Sequence, residues 1–138
     1  MERSRNGRSK ETGAGSNGAG VVNRRARQRA LVIGIDDGRE RGESEALAEL
    51  KELLRTAGVA TAGEMLQQRS APDPDRYFGR GKLAELKAEI ARSGANLVAC
   101  DDELAPRQER NLESALGVPV IDRTAVILDI FAAHAHSA

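Results

Sequence analysis

From about residue 30 onwards, hydrophobic and polar residues form four strand-like blocks, and each of these is followed by a block with helical spacing. A continuous apolar run at residues 30–35, closed by Asp36 and Asp37, is the pattern of a strand that is buried on both faces. Three more apolar runs predict further short strands, at residues 59–66, 96–100 and 118–121. The pattern therefore predicts four strands between residues 30 and 121.

Apolar residues at helical spacing follow every predicted strand. The predicted helices cover residues 44–57, 82–93, 106–116 and 124–135. Ser44 can cap the first helix, and Gly58, Gly94 and Gly117 are suitable stops for the first three. This alternation predicts an α/β fold, in which right-handed βαβ units form a small parallel four-stranded sheet flanked by helices. Ligands are then expected beyond the carboxyl ends of the strands.

Charge divides the chain into two parts. Residues 1–29 contain eight basic and two acidic residues, whereas the rest of the chain carries a net charge of −6. Because residues 1–29 are rich in glycine and have little to bury, we predict a disordered basic tail before a folded domain at 30–138. Such a tail can contact nucleic acid electrostatically or can serve only as a solubilising leader.

Composition limits the core and the compartment. With three aromatic residues and no Trp, the core is expected to consist of Leu, Ile, Val and Ala. The single cysteine, Cys100, lies in an apolar strand and is expected to be an inert core thiol. No long apolar span or secretory leader is evident, which predicts a soluble cytoplasmic protein without a membrane span.

The densest local chemistry lies at residues 77–82, which hold two aromatic residues, two glycines and two cations. Gly79 and Gly81 allow a positive φ or a close approach of the backbone to another surface. Lys82 begins a predicted helix, whose free N–H groups and positive dipole end favour an anion. A phosphate group is therefore the expected ligand, and it can belong to a nucleotide or to RNA.

Two segments partly match nucleotide-binding signatures, but each lacks features that the signature requires. Residues 13–18 match G-x-G-x-x-G, but no strand precedes them and no amphipathic helix follows. Gly81 and Lys82 are followed by Leu83, where a P-loop needs Ser or Thr, and Arg76 occupies the position of its first glycine. The sequence therefore shows no self-evident machinery for GTP or ATP hydrolysis.

Other cations lie near the predicted loops and can donate to phosphate, while Tyr77 or Phe78 can stack on a base or pack internally. For the two arginines on the third helix, a solvated helix face is the alternative. The candidate RNA-binding or phosphate-binding residues are Arg76, Tyr77, Gly79, Arg80, Gly81, Lys82, Arg107, Arg110 and Arg123.

Carboxylates follow the first and third strands and are expected to meet at one edge of the sheet. Asp101 and Asp102, together with Asp36 and Asp37, are weak candidates for holding Mg²⁺. The alternative is that these residues cap and solvate loops. No catalytic base supports the metal hypothesis, so no catalytic residue is assigned.

Three motifs in order resemble the N-terminal domain of HflX, a family of ribosome-associated GTPases: RYFGRGKL at 76–83, DELAPRQERNLE at 102–113, and VIDRTAVILDIFA at 120–132. The resemblance implies an α/β domain that is joined to a helical segment and then to a GTPase domain using GTP and Mg²⁺. It also implies binding to the large ribosomal subunit and its rRNA, with a role in splitting or rescuing stalled ribosomes. Both following domains are absent before Ala138, so this chain is not expected to hydrolyse GTP by itself.

Three hypotheses follow from these observations. The first is a non-catalytic, rRNA-binding module, and the second is an ATP-binding or ATP-dependent activity at residues 79–82. The third is a fragment that needs a partner, because Ile127, Ile130 and Phe131 predict exposed apolar surface or self-association. Asp122 and Arg123 also have a structural alternative, in which the carboxylate caps the last helix and the guanidinium pairs with a carboxylate.

Overall fold

Strands and helices alternate throughout the part of the chain that the structure, a computed structural model, describes: residues 27–38 and 47–137, with side chains up to residue 133. In chain order the elements are β1 Arg29–Asp36, α1 Ala48–Thr56, β2 Ala60–Gln68, α2 Arg80–Ser93, β3 Leu97–Cys100, α3 Pro106–Leu116, β4 Val120–Asp122 and α4 Arg123–Ser137. Most of the predicted basic tail and the predicted cap Ser44 lie outside the described residues. Arg29, which was assigned to the tail, is the first residue of β1.

The strands form one sheet in the order β2-β1-β3-β4. β1 pairs in parallel with both β2 and β3, and β3 pairs in parallel with β4. A parallel sheet needs a crossover between successive strands, and α1, α2 and α3 supply the three crossovers, whereas α4 follows the last strand. The predicted α/β class, with a four-stranded parallel sheet flanked by helices, is confirmed.

The two faces of the sheet carry separate hydrophobic clusters, because side chains alternate across a strand. On one face Leu31 and Ile33 of β1 pack with apolar residues of α2 and α3. On the other face Ala30 and Val32 pack with apolar residues of α1 and α4. Burial on both faces explains the continuous apolar run of β1.

The helix boundaries follow local chemistry. Gly94 and Gly117 adopt φ values of 75° and 77° directly after α2 and α3, as their predicted role as stops requires. Asp122 accepts a hydrogen bond from the backbone N–H of Ala125 at 2.9 Å through Oδ1, which caps the first turn of α4. Its Oδ2 accepts the N–H of Leu104 at 2.9 Å. The structural interpretation of Asp122 is therefore confirmed.

Two aromatic residues lie in the core, where only aliphatic residues were expected. Tyr77 and Phe78 are 1% and 0% exposed, and they are the two largest fully buried side chains in the described part of the chain. Their rings stack with centroids 5.3 Å apart. Since neither ring reaches the surface, stacking on a base is wrong for both residues, and internal packing is the correct alternative.

α4 presents apolar side chains to solvent. Ile127, Leu128 and Phe131 are 44%, 61% and 73% exposed, while Ile130 packs against the cluster shared with α1. The predicted exposed apolar surface is confirmed for Ile127 and Phe131, whereas self-association stays a prediction. None of the helices in the described ranges is long and apolar enough to span a membrane.

Candidate nucleic-acid interface

The helix N-termini gather at the edge of the sheet where the strands end. α2, α3 and α4 each follow a parallel strand or its loop, so their positive dipole ends lie at this edge. An open cleft of about 410 Å³ lies here, between the ends of β1 and β3 and residues 70–72. The loops after β1 and β3 lead to helices on opposite faces of the sheet. The crevice between two such loops is the usual place for a ligand in an α/β sheet.

α2 begins with an uncapped turn. It starts at Arg80, two residues earlier than predicted, and the residue before it is Gly79, which has no side chain to cap the helix. As at the start of any α-helix, the first N–H groups, here those of Arg80, Gly81 and Lys82, have no intrahelical acceptor, and the residue before them supplies no side-chain cap. Arg80 is exposed, and Lys82 lies 3.2 Å from Glu85. This end of α2 is chemically suited to an anion.

Neither glycine adopts the positive φ that was one predicted role, but Gly79 allows the close approach that was the other. Gly79 has an extended backbone with φ of −70°, and Gly81 is not among the residues with positive φ. A Cβ at Gly79 would lie 3.1 Å from Nη1 of Arg69 and 3.3 Å from Nε2 of Gln67, whose Oε1 accepts the Gly79 N–H at 2.9 Å. Gly79 therefore makes room for side chains of this chain, whereas the space around Gly81 is open.

The positive φ lies instead at Tyr77, with φ of 72°, the only non-glycine residue in the described ranges to adopt one. The N–H of Phe78 donates to the carbonyl oxygen of Arg76 at 2.7 Å, which closes a three-residue γ-turn around Tyr77. The backbone of Tyr77 also exchanges two hydrogen bonds of 2.9 Å with Asp73. Its hydroxyl donates to Oδ2 of Asp102 at 2.6 Å.

Asp73 organises the loop that precedes this turn. Its Oδ1 accepts the N–H groups of Asp75 and Arg76 at 2.8 and 2.9 Å. These two backbone hydrogen bonds hold the pKa of the Asp73 carboxyl below its usual value. This role of Asp73 was not predicted, although Asp-Pro-Asp at residues 73–75 is a recognisable signal of a turn in which a side chain bonds its own backbone.

Side chains of α3 clamp the same loop. Gln108 donates to the carbonyl oxygen of Asp73 and Asn111 to that of Asp75, both at 2.8 Å. Arg107 lies 3.2 Å from the Asp75 carboxylate but remains 64% exposed, and Arg110 is exposed. An exposed pair of this kind is weak and open to competition by another anion. The clamp therefore brings the cations of α3 to the same edge as those of α2.

Arg123 has a structural role. Its guanidinium donates to Asp101 at 2.8 Å and to Glu49 at 3.1 Å, so it ties α4 to the end of β3 and to α1. Partial burial lowers the pKa of Arg123, but the hydrogen bond to Asp101 and the charges of Asp101 and Glu49 have the larger effect. The pKa of Arg123 therefore lies above its usual value. Because the guanidinium is occupied by carboxylates, the predicted phosphate-binding role of Arg123 is not supported.

Arg76 is half-buried and directed towards its own loop. Its Nη2 lies 4.0 Å from the Asp73 carboxylate, and its buried Nε has no hydrogen-bond partner among the described residues. The exposed candidates at this edge are therefore Arg80, Arg107 and Arg110, with Lys82 partly covered.

The acidic side chains do not form a metal site. Asp101 pairs with Arg123, and Asp102 accepts the Tyr77 hydroxyl. Throughout the described ranges, no group of three Asp, Glu, His or Cys side chains can hold a metal ion. The weak magnesium candidates and the ATP hypothesis that used them gain no support from this geometry.

Cys100 is expected to resist alkylation in the folded protein. It is fully buried, and burial raises the pKa of its thiol to about 12. Since the thiolate is the nucleophile, its fraction at pH 8 is about three orders of magnitude below that of a free cysteine of pKa about 8.5. Iodoacetamide labelling at pH 8, followed by mass spectrometry with and without urea, measures this difference. Equal labelling rates in both conditions would contradict the burial of Cys100.

The sequence is similar to a known protein family over most of its described length. The sequence profile described as "GTP-binding GTPase N-terminal" matches residues 44–132, well over half of the chain. The chain belongs to this family. Among its relatives, GTPase HflX of Lacrimispora saccharolytica is 44% identical over 108 residues, which are 78% of this chain and 26% of the relative. GTPase HflX of Escherichia coli is 41% identical over 95 residues, which are 69% and 22% of the two chains.

The resemblance to the HflX N-terminal domain is thus confirmed, and the chain spans about a quarter of the length of the HflX relatives it matches. The crystal structure of SsGBP with GDP superimposes with a TM-score of 0.57 at 22% identity, covering 78% of this chain and 29% of that one. A GTP-binding protein of Sulfolobus solfataricus with GDP gives 0.53 at 21% identity, over 76% and 30% of the two chains. At these identities the likeness shows that the HflX-type domain shares their fold.

Proposed function

We propose that this domain binds the RNA of the large ribosomal subunit, as the N-terminal module of a cytoplasmic HflX-type GTPase. The proposal rests on the exposed Arg80 at the uncapped start of α2, together with the exposed Arg107 and Arg110 in the first half of α3, a helix that contacts the loop before α2. Family membership supports the setting, and the resemblance of the three motifs to a ribosome-associated family supports the partner.

The chemistry of this edge suits an RNA backbone better than a free nucleotide. Arg80 and Lys82 flank N–H groups that have no intrahelical acceptor, and Arg107 and Arg110 extend the positive surface along α3. Side chains of this kind position a protein on phosphates without reading bases. The two aromatic rings that a stacking site would need are buried, so recognition is expected to depend on charge and shape.

The domain is proposed to have no GTPase activity of its own. GTP and Mg²⁺ would be bound by the GTPase domain of the full-length protein, and a helical segment would connect the two. Splitting or rescue of stalled ribosomes would then be an activity of the whole protein. The part proposed for this chain is docking.

Co-sedimentation with purified ribosomal subunits tests the proposal. We expect the chain to pellet with large subunits at low salt, and to dissociate as salt rises, because phosphate contacts release counterions. Small subunits, which present RNA of the same backbone charge, are the control and are expected to retain less of the chain. Absence of binding to large subunits at low salt, or equal binding to both subunits at every salt concentration, would count against the proposal.

A further inference from the structure

The backbone at Tyr77 is strained in a way that its side chain does not require. A positive φ puts the Cβ of an L-residue close to the next carbonyl and costs about 1 kcal/mol or more, a cost that glycine avoids. Tyr77 nevertheless holds φ at 72° at the centre of a γ-turn, in the interior of the protein. A conformation of this kind persists only when the surrounding contacts over-determine it.

Three sets of contacts hold the turn. The ring is buried and stacked on Phe78, and the backbone is paired on both sides with Asp73. The third contact is the hydrogen bond of 2.6 Å from the Tyr77 hydroxyl to the Asp102 carboxylate, beyond the end of β3. This bond joins the turn to the loop after β3, 25 residues away along the chain, and it can be removed without truncating the ring, which itself packs in the cluster that contains Cys100 at the end of β3.

The turn lies directly before the proposed RNA-binding end of α2. Two residues after Tyr77 the chain reaches Gly79, and Arg80 opens the helix. The direction in which the backbone leaves Tyr77 therefore affects the position of the first turn of α2, including the side chains of Arg80 and Lys82 and the N–H groups of residues 80–82.

We infer that the Tyr77–Asp102 hydrogen bond is a latch that positions the start of α2 for RNA binding, and that Tyr77 is a positioning residue. This inference rests on the proposed function. Without the latch, the strained turn relaxes and the start of α2 is displaced in the complex as well, so that its contacts to phosphate are weakened or lost. Each lost phosphate contact lowers both the affinity and the slope of log K against log salt.

The decisive variant is Tyr77→Phe, which keeps the buried ring and removes the hydroxyl. We expect its Kd for large subunits to rise about tenfold, corresponding to about 1.4 kcal/mol. The slope of log K against log salt is expected to shrink towards that of an Arg80→Ala/Lys82→Ala variant, because phosphate contacts are lost. Loss of folded protein alone would lower binding without changing this slope.

Asp102→Ala removes the other half of the latch from an exposed position, and it is expected to reproduce the effect of Tyr77→Phe. The Tyr77→Phe/Asp102→Ala double variant is expected to bind large subunits with the same Kd and slope as either single variant. Likewise, adding Tyr77→Phe to Arg80→Ala/Lys82→Ala is expected to weaken binding no further. Val126→Ala, which truncates a residue of the opposite core cluster, controls for general destabilisation and is expected to leave the slope unchanged.

The outcomes separate this inference from the proposed function. If the unsubstituted chain fails to bind large subunits, the proposed function and the latch both fall. If it binds and Tyr77→Phe binds with the same Kd and the same slope, the latch is wrong and the proposed function stands. A weaker Kd with an unchanged slope also overturns the latch, because it assigns Tyr77 to stability alone.

Discussion

Replacing Phe78 by alanine is expected to lower the free energy of unfolding by about 3–5 kcal/mol, the usual cost of truncating a fully buried aromatic residue. Phe78 is 0% exposed and its ring stacks on that of Tyr77, so the substitution leaves a cavity at the centre of the cluster beneath α2 and α3. A small domain has a total stability of only about 5–15 kcal/mol, and the variant is therefore expected to lose a large part of that stability. Urea unfolding followed by circular dichroism measures the change.

The chain contains a matched control for this substitution. Phe131 is 73% exposed on α4, so Phe131→Ala is expected to change the free energy of unfolding by no more than about 0.5 kcal/mol. Similar losses for the two variants would contradict the burial of Phe78. The same result would reopen the sequence-based hypothesis that this ring stacks on a base.

The arrangement of strands and helices was predictable because it depends on local patterns. The apolar run of β1 is long enough to require burial on both faces, and the glycines that end α2 and α3 lie where the helical spacing stops. Asp122 was also within reach, since a carboxylate directly before a helix is a common cap. Each of these features involves residues that are close together in the sequence.

The environment of the aromatic pair was not predictable in this way. Tyr77 and Phe78 lie among glycines and cations, a composition that favours an exposed loop. They are buried because α2, α3 and the ends of β1 and β3 close over them, and these elements come from distant parts of the chain. Composition describes neighbours in sequence, whereas burial depends on neighbours in space.

The same distinction explains why the sequence left the role of Arg123 open. Arg123 lies 74 residues from Glu49 in sequence, and the ion pair between them exists only because α1 and α4 share a face of the sheet. The clamp of Gln108 on the carbonyl oxygen of Asp73 spans 35 residues. Local sequence could offer both a structural and a phosphate-binding role for Arg123, but only the fold chooses between them.

Substituting both Arg80 and Lys82 by alanine is expected to raise the Kd for large ribosomal subunits by about 10- to 100-fold, because two charge-assisted contacts to phosphate are removed. Each phosphate contact contributes about 0.7 to the slope of log K against log salt for single strands, so the slope is expected to shrink by about 1.4. Binding measured by co-sedimentation at several salt concentrations gives both quantities. Stability is expected to change little, since Arg80 is exposed and Lys82 makes only a surface pair.

Lys87→Ala/Arg92→Ala is the matched control, because it removes the same charge from the middle and the last turn of α2. Lys87 is exposed and the Arg92 side chain is 76% exposed, so neither has a role in the core. This variant is expected to bind with nearly the affinity and slope of the unsubstituted chain. Equal losses in the two double variants would show that total charge, and not the start of α2, determines binding.

Cross-linking from the start of α2 tests the central claim most directly. A cysteine is introduced at Gly81. Apart from its chain neighbours and the backbone of its own helix, no atom of the described residues lies within 4 Å of a Cβ placed at Gly81. The buried Cys100 is not expected to compete for a thiol-reactive photo-cross-linker. The control places the cysteine at the exposed Ala91, near the other end of the same helix. After irradiation with large subunits, we predict a cross-link to rRNA from position 81 and little or none from position 91. No rRNA cross-link from position 81, or equal yields from both positions, would contradict the account.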